Sequence, residues 1–256
     1  MKIVVAIKQV PARDSVLRVD SSSSWIQEDD LSWEINEPDA YALETALQLK
    51  EKNGGEVVAL CAGPSRATQT IREALAKGAD RAIHIEDDAV DKLDTLGVAR
   101  VLAKALESEK PDLVLTGLQS DDLGYGQTGV VLAELLGYAH STIIMSVDVD
   151  GSNIRVKREL ENGWYQNIAL PLPAVLTIQS GISKLRYATL MGIKKAKSKE
   201  VRTLTMDDLG VPTDAAIRIA RVYLPKKSKS TEMIEGSPSE QAKKLVEKLR
   251  FEVRAL

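Results

Sequence analysis

The first half of the chain alternates short apolar runs with segments of helical spacing, and this alternation constrains the fold more than any other feature. Four runs have the length and β-branched character of buried strands, namely Ile3–Ile7, Val57–Cys61, Ala82–Ile85 and Leu113–Thr116. Between them, Ala40–Lys50 and Thr95–Glu107 repeat apolar residues with the period of a helix. Such alternation indicates a parallel sheet with helices packed on both of its faces.

Later in the chain the pattern changes to that of a β-hairpin. The segments Met145–Val156 and Trp164–Leu170 predict two antiparallel strands joined by a Glu-Asn-Gly turn. Asn162 and Gly163 supply the positive φ angles that a tight hairpin turn requires. The apolar run Ala174–Ile178 then predicts one more buried strand.

The last quarter of the chain is poor in apolar residues until a final helical segment. The run Ser237–Glu240 has the form of a capping box with a proline at the first helical position. The sequence therefore predicts an α/β fold with a mostly parallel Rossmann-like sheet, helices on both faces, a β-hairpin and an extended C-terminal arm ending in a helix. We assign residues 1–190 to a nucleotide-binding α/β domain and residues 191–256 to an arm that packs on another surface.

Composition excludes several classes of function. The chain has 34 basic and 37 acidic residues, and its one dense basic cluster is Lys194–Arg202, so we expect no nucleic-acid binding. The apolar run near the N-terminus is too short for a membrane span, and we expect no membrane insertion. The single cysteine, Cys61, forms no intrachain disulfide, which favours a reducing compartment, the cytoplasm.

A glycine-rich segment, Gly117–Gly129, connects a predicted strand to a predicted helix. Glycines let the backbone approach a phosphate, and free N–H groups at a helix start can donate to it. Gly124, Gly126 and Gly129 match the G-x-G-x-x-G pattern, but seven residues separate Gly124 from Thr116, whereas the dinucleotide-binding turn follows its strand directly. The residues alone leave open a nucleotide-phosphate site and a connection without a ligand.

Three other segments are expected at the same edge of the sheet: Ala6–Val10, Asn36–Asp39 and Ala62–Pro64. Ligands of open α/β sheets lie across the carboxyl ends of the strands, so a purine between the first and third segments fits this geometry. We predict no catalytic residue set and no metal site, because neither histidine has a paired partner at ligand spacing.

Two stretches carry a resemblance to a known family. They are Val156–Thr177, which includes the hairpin turn, and Leu185–Leu190, which reads Leu-Arg-Tyr-Ala-Thr-Leu. With the Val-Ala-Ile-Lys opening, Ala62-Gly63-Pro64 and Met233–Gly236, they make the chain similar, over nearly its whole length, to the beta subunit of electron-transfer flavoproteins.

This resemblance implies a heterodimer in which a larger alpha subunit holds most of a redox-active FAD and is clasped by the C-terminal arm. It implies structural AMP in this subunit. By position, the expected cofactor-binding residues are Ala6, Asn36, Glu37, Pro38, Asp39, Ala62, Gly117, Leu118, Gln119, Ser120, Asp121, Asp122, Leu123, Gly124, Tyr125, Gly126, Gln127 and Thr128. Arg13 stands where some members have a tyrosine near the flavin. The resemblance therefore does not imply a contact between this loop and FAD.

The resemblance also implies an electron carrier rather than an enzyme. Electrons would pass from a flavin-containing dehydrogenase, docked through Leu190 and Met191 on a loop tip, to the FAD and then to a quinone reductase. Electron-bifurcating members bind NADH and place a second FAD where others hold AMP, with a loop that typically reads Asp-Gly-Asp-Thr-Ala-Gln-Val-Gly-Pro. The loop here reads Asp-Leu-Gly-Tyr-Gly-Gln-Thr-Gly-Val, which favours AMP. A stand-alone ATP-binding sensor is the alternative from a different class.

Overall fold

A computed structural model describes residues 1–212, 214–226 and 231–255. Its strands are β1 Lys2–Ala6, β2 Gln9–Pro11, β3 Trp33–Ile35, β4 Glu56–Gly63, β5 Arg81–Glu86, β6 Leu113–Gly117, β7 Ala139–Asp150, β8 Asn153–Glu159, β9 Tyr165–Pro171, β10 Ala174–Ile178 and β11 Val201–Leu204. Its α-helices are α1 Glu37–Asn53, α2 Thr68–Lys77, α3 Thr95–Glu109, α4 Thr128–Leu136, α5 Leu190–Ala196, α6 Met206–Leu209 and α7 Pro238–Lys248.

The main sheet of the described residues runs in the order β11-β5-β4-β1-β6-β10-β7-β8-β9. Every neighbouring pair from β11 to β7 is parallel, and β7, β8 and β9 are antiparallel. A separate antiparallel pair joins β2 to β3. The predicted α/β architecture, mostly parallel with helices on both faces, is therefore confirmed.

Two apolar clusters cover the two faces of this sheet. Along β1, Ile3 and Val5 join the cluster that includes α1 and α2, whereas Val4 and Ala6 join the cluster that includes α3 and α4. Successive strand residues face opposite sides, so a strand buried on both sides needs an unbroken apolar run. The apolar strands predicted from the sequence reflect this double burial.

The hairpin region differs from the prediction at one point. The predicted strand Met145–Val156 is wrong as a single element, because β7 ends at Asp150 and β8 begins at Asn153. Gly151 has a φ of 63° and turns the chain between them. The second turn agrees with the prediction, since Asn162 and Gly163 have φ angles of 57° and 76° before β9.

The segment after Leu190 first stays on the body of the chain. The strand β11 pairs with β5 at the edge of the sheet, and α5 packs against α2. Further along, α7 begins with the predicted capping box, in which Ser237 and Glu240 bond each other's backbone N–H groups. Leu245 and Val246 on α7 are exposed. The assignment of residues 191–256 to a partner-binding arm stays a prediction.

Candidate functional site

The predicted site segments lie at one edge of the main sheet. The strands β4, β1 and β6 are neighbours and parallel, so their carboxyl ends at Gly63, Ala6 and Gly117 face the same side. Helix α1 begins at this edge with Glu37. The four segments that the sequence assigns to a nucleotide therefore meet at this edge, in the arrangement that open α/β sheets use for ligands.

Asn36 connects the start of α1 to the glycine-rich loop, which we define as residues 117–128. Its Nδ2 donates to the carbonyl oxygen of Gln119 at 2.9 Å, and its Oδ1 accepts from the N–H of Asp121 at 2.9 Å. The residue is buried. An amide that donates and accepts in this way fixes two backbone positions of the loop at once. Asn36 thereby holds the loop against the end of β3.

Asp39 makes the second connection between α1 and this edge. Its carboxylate accepts hydrogen bonds from the N–H groups of Lys8 and Gly117, each at 2.8 Å. Burial raises the pKa of Asp39 to about 7, against the opposing effect of these two donors. Both oxygens of this predicted nucleotide contact are thus already bound to the protein backbone, and Asp39 acts on the site by holding β1 and β6.

Two glycines allow this close packing. A Cβ on Gly117 would collide with the carboxylate of Asp39 and lie 2.7 Å from the Cβ of Pro38. A Cβ on Gly129 would lie 2.7 Å from Oγ1 of Thr116. Only glycine fits at these positions without displacing its neighbours. The backbone can therefore leave β6 and enter α4 close to the strand ends.

The middle of the loop is exposed, and the loop ends where α4 begins without a side-chain cap. Residues 121–127 are exposed, and Gly124 and Gly126 adopt φ angles of 64° and 62°. Gln127 is the N-cap residue of α4. Within the described part of the chain, its side chain makes no hydrogen bond to the first turn of this helix. The N–H groups of that turn lack partners in the helix, and they are suited to bind an anion.

Two ion pairs join the acidic part of the loop to basic residues near the end of β1. Lys8 Nζ lies 2.6 Å from Asp122 Oδ2, and Arg13 contacts both Glu37 and Asp121, the latter at 3.3 Å. Burial raises the pKa of Asp122, but the charge and hydrogen bond of Lys8 outweigh it and hold this pKa below its usual value. Lys8 lies in the segment Ala6–Val10 that was expected at this edge, but its pairing with Asp122 and that of Arg13 with Asp121 were not predicted. Spacing gives no signal for pairs more than 100 positions apart.

The smaller predicted contacts sit at the strand ends. Ala6 ends β1 in register with Leu60, and Ala62 near the end of β4 is half-buried. Ala6 is buried, so the strand ends carry only small side chains at these two positions. Cys61, beside Ala62, is fully buried, and burial raises the pKa of its thiol to about 12, so it supplies no reactive group.

The predicted docking residues are presented by a short helix rather than by a loop tip. Leu190 and Met191 are the first two residues of α5, and their exposed fractions are 87% and 65%. Thr189 caps the helix by accepting from the N–H of Gly192 at 3.0 Å. A Cβ on Gly192 would collide with the carbonyl oxygen of Ala76, so α5 lies directly against the end of α2. Because α5 is capped and closely packed, it holds the side chains of Leu190 and Met191 in place.

Within residues 1–212, 214–226 and 231–255, the side chains form no group of three or more His, Cys, Asp or Glu that could hold a metal ion. None of the helices in this described part is both long and apolar enough to cross a bilayer.

One family model and several individual proteins resemble this chain over most of its length. Residues 24–209 match the family model described as an electron transfer flavoprotein domain. The chain is 38% identical over 257 residues to an electron transfer flavoprotein subunit beta from Methylophilus methylotrophus, covering 96% of this chain and 97% of that protein. The corresponding subunit from Bacillus subtilis (strain 168) is 38% identical over 90% of this chain and 91% of its own length.

A mammalian relative matches over a similar extent. The electron transfer flavoprotein subunit beta from Sus scrofa is 37% identical over 253 residues, which cover 98% of this chain and 97% of that protein. These matches span the strand ends, the glycine-rich loop, the hairpin and α5. The chain belongs to the electron transfer flavoprotein family, as a beta subunit, and its role is that of an electron carrier.

Proposed function

We propose that this chain pairs with a larger alpha subunit and binds AMP at the carboxyl edge of its sheet. In this heterodimer, electrons pass from a flavin-containing dehydrogenase to FAD, held mainly by the alpha subunit, and then to a quinone reductase. The observation that carries the proposal is the glycine-rich loop held over the strand ends by Asn36 and Asp39. The name subunit beta, borne by the relatives, supports the pairing.

The residues present fit an adenine mononucleotide. The exposed loop contains two glycines with positive φ and ends at the uncapped start of α4, whose free N–H groups suit a phosphate. Gln127 and Thr128 would add side-chain donors. The small residues Ala6 and Ala62 place no bulky side chain beside the ends of β1 and β4, which suits a flat base there. AMP would supply hydrogen-bonding partners and negative charge to this edge and no redox chemistry.

Two alternatives differ in what they place at this edge. In the bifurcating type a second FAD replaces AMP and NADH binds as well, which requires a loop that admits a larger ligand. The ion pairs of Lys8 with Asp122 and of Arg13 with Asp121 hold the loop close to the strand ends, and this favours the smaller nucleotide. The ATP-binding sensor has no support from the family to which the chain belongs.

The exposed start of α5 supports docking of the dehydrogenase. Leu190 and Met191 form an apolar tip, and Lys194 and Lys195 follow on the same helix. An apolar anchor beside basic residues can concentrate binding energy while dissociation stays fast, as a carrier with several successive partners needs. The single buried cysteine leads us to propose a cytoplasmic location.

Acid release of nucleotide from the purified complex tests the proposal. One AMP and one FAD per heterodimer supports the simple carrier. Two FADs without AMP would overturn the AMP assignment in favour of the bifurcating type. A chain that purifies as a homodimer with ATP and no flavin would overturn the carrier itself.

A variant connects this result to the site. Asn36→Ala removes the two hydrogen bonds that Asn36 makes to the loop and should lower AMP content while the FAD content changes less. Asn53→Ala is the matched control, because within the described part of the chain the Asn53 side chain donates only to Leu49 in α1. Equal AMP content in the two variants would contradict the role given to the loop.

A further inference from the structure

The chain leaves its sheet after α6 and crosses the start of α3, where Asp94 holds it. Oδ1 of Asp94 accepts from the N–H of Gly97 at 2.8 Å and so caps α3. Oδ2 accepts from the N–H groups of Ala216 and Ile217, at 2.8 and 3.0 Å. One carboxylate therefore bonds a helix start and a segment more than 120 positions further along the chain.

The charge of Asp94 suits this role. The N–H of Gly97 has the largest effect in holding the pKa of Asp94 below its usual range, and the N–H groups of Ile217 and Ala216 act in the same direction. Hydrogen bonds from N–H groups to an ionised carboxylate are shorter and stronger than those between neutral groups. The carboxylate of Asp94 is therefore ionised at neutral pH, and it holds the segment through this stronger kind of hydrogen bond.

A second backbone contact follows five residues later. The N–H of Val222 donates to the carbonyl oxygen of Ser23 at 2.8 Å. Ser23 lies in a tight turn closed by a bridge between Val19 and Ile26, and Asp20 accepts from the N–H of Ser24 within it. The segment 214–226 is thus bonded to two separate places on the body of the same chain.

Large apolar side chains of this segment are exposed. Ile217, Tyr223 and Leu224 have exposed fractions of 70%, 65% and 69%, although the backbone beside them is bonded. Large apolar side chains exposed in succession are typical of a surface that a partner covers. The backbone contacts and the exposed side chains thus have different functions, the first within the chain and the second toward a partner.

We propose that Asp94 is a positioning residue that holds residues 214–226 of the C-terminal arm on the body of this chain before the partner binds. The apolar side chains of the segment are then presented to the flavin-carrying alpha subunit in one arrangement. This inference rests on the proposed function for the identity of the partner. Ordering a segment in advance removes part of the entropy that association would otherwise lose, so the heterodimer forms faster and more tightly.

The test uses Asp94→Ser. A serine still caps α3 well, because its hydroxyl can accept from the N–H of Gly97, but it is too short to bond the arm at the same time. Asp208→Ala is the matched control, since the described hydrogen bonds of Asp208 stay within its own capping box with Thr205.

Hydrogen exchange of the isolated full chain gives the first readout. We expect slow exchange at Ala216 and Ile217 in the parent chain and in Asp208→Ala, and an increase of about tenfold or more in Asp94→Ser. Exchange in α3 should stay unchanged, which separates the arm contact from the helix cap. Equal exchange at Ala216 and Ile217 in all three proteins would overturn the proposal.

Binding to the alpha subunit gives the second readout. Asp94→Ser should weaken the heterodimer by about tenfold, chiefly through slower association, while Asp208→Ala should not. If the amides of Ala216 and Ile217 exchange faster in Asp94→Ser but the rate of association is unchanged, Asp94 does not present the arm to the alpha subunit. A chain with no flavin-bearing partner would overturn the proposed function instead, and the exchange rates would still decide whether Asp94 holds the arm.

Discussion

Oδ1 of Asp39 accepts the backbone N–H of Gly117 at 2.8 Å, and this contact joins the start of α1 to the end of β6 across 78 positions of sequence. The other oxygen binds the N–H of Lys8, at the end of β1. The floor of the candidate nucleotide site is therefore fixed by one buried carboxylate, and the loop above it is fixed by Asn36. Changes at either position should alter the site before they alter the rest of the sheet.

Gly117→Ala tests the close approach of α1 and β6. The added Cβ would collide with the carboxylate of Asp39, so we expect a loss of about 1–3 kcal/mol in the free energy of unfolding and a loss of bound AMP. Urea unfolding and nucleotide analysis measure the two effects. Gly97→Ala is the control, because its Cβ would lie 3.1 Å from the Cβ of Leu93, a tight contact but without the collision found at Gly117. Equal losses in both variants would contradict the steric argument.

The raised pKa of Asp39 predicts a pH dependence of stability. The pKa of this carboxyl is about 7 in the folded chain, against an ordinary value of 3.8, so the folded state binds more protons between these values. The contribution of Asp39 to the free energy of unfolding is fully present below about pH 4 and is lost as the pH rises through about 7. Burial of the charge disfavours its ionised form in the folded chain, and this sets the sign.

Comparison of the parent chain with Asp39→Asn isolates this contribution. Asparagine does not titrate, so the parent chain should lose up to about 4 kcal/mol of unfolding free energy relative to the variant between about pH 3 and about pH 8. Urea unfolding at several pH values measures the difference. A constant difference across this range would show that Asp39 does not titrate there.

Local patterns were sufficient to predict the edge of the sheet at the candidate site and most of its strands, although not β11. The apolar runs of β1, β4, β5 and β6 are long enough to be buried on both faces, and parallel strands bring their carboxyl ends together. The single strand predicted for Met145–Val156 was wrong because the alternation of Val and Asp continues up to the Gly151 turn. Periodicity alone does not mark a hairpin whose two strands share one pattern.

Contacts between distant side chains could not be predicted in the same way. Lys8 and Asp122 are 114 positions apart, and Asp94 is 122 positions from Ala216. Nothing in the spacing of these residues distinguishes them from other exposed charges, because their pairing depends on the finished fold. Asp39 was predicted as a nucleotide contact, but its place in the structure as a link between two strands follows from tertiary packing.

The Asn162 turn predicts a specific tolerance to substitution. Asn162 has a φ of 57°, a left-handed conformation that glycine and asparagine adopt at low cost. Asn162→Gly should change the free energy of unfolding by less than about 0.5 kcal/mol, while Asn162→Ala should lower it by about 1 kcal/mol. Chemical denaturation of both variants checks the order. If alanine proved as stable as glycine, the turn would not need a positive φ at this position.

The ion pair between Lys8 and Asp122 predicts a measurable coupling energy. Both side chains are partly exposed, so we expect about 0.2–1 kcal/mol from a double-mutant cycle with Lys8→Met and Asp122→Asn. The pKa of Asp122 lies below its ordinary value of 3.8, so the pair contributes fully above that value and is lost as the pH falls through the folded pKa. The coupling should also decrease between about 0.01 M and 1 M salt. Additive effects of the two substitutions at low salt would contradict the pair.

Leu190→Ala tests the docking role of α5. Because the side chain is 87% exposed, its removal should change the unfolding free energy by less than about 0.5 kcal/mol and should leave AMP and FAD content intact. Electron transfer from the dehydrogenase should slow by at least about tenfold at subsaturating concentrations, since a central apolar anchor carries much of the energy of a small interface. Stopped-flow reduction of the FAD measures this rate.

The control for Leu190 is a second exposed leucine. Leu135 on α4 is 44% exposed, so Leu135→Ala removes a similar apolar group outside the proposed docking helix. Its rate of reduction by the dehydrogenase should match that of the parent complex. The rigid seat of α5 against Ala76 adds a further expectation: Gly192→Ala, which displaces the helix, should slow transfer even though Leu190 is retained. Unchanged transfer in Leu190→Ala would remove the docking role, whereas a loss in Leu190→Ala alone would show that the side chain matters and its fixed position does not.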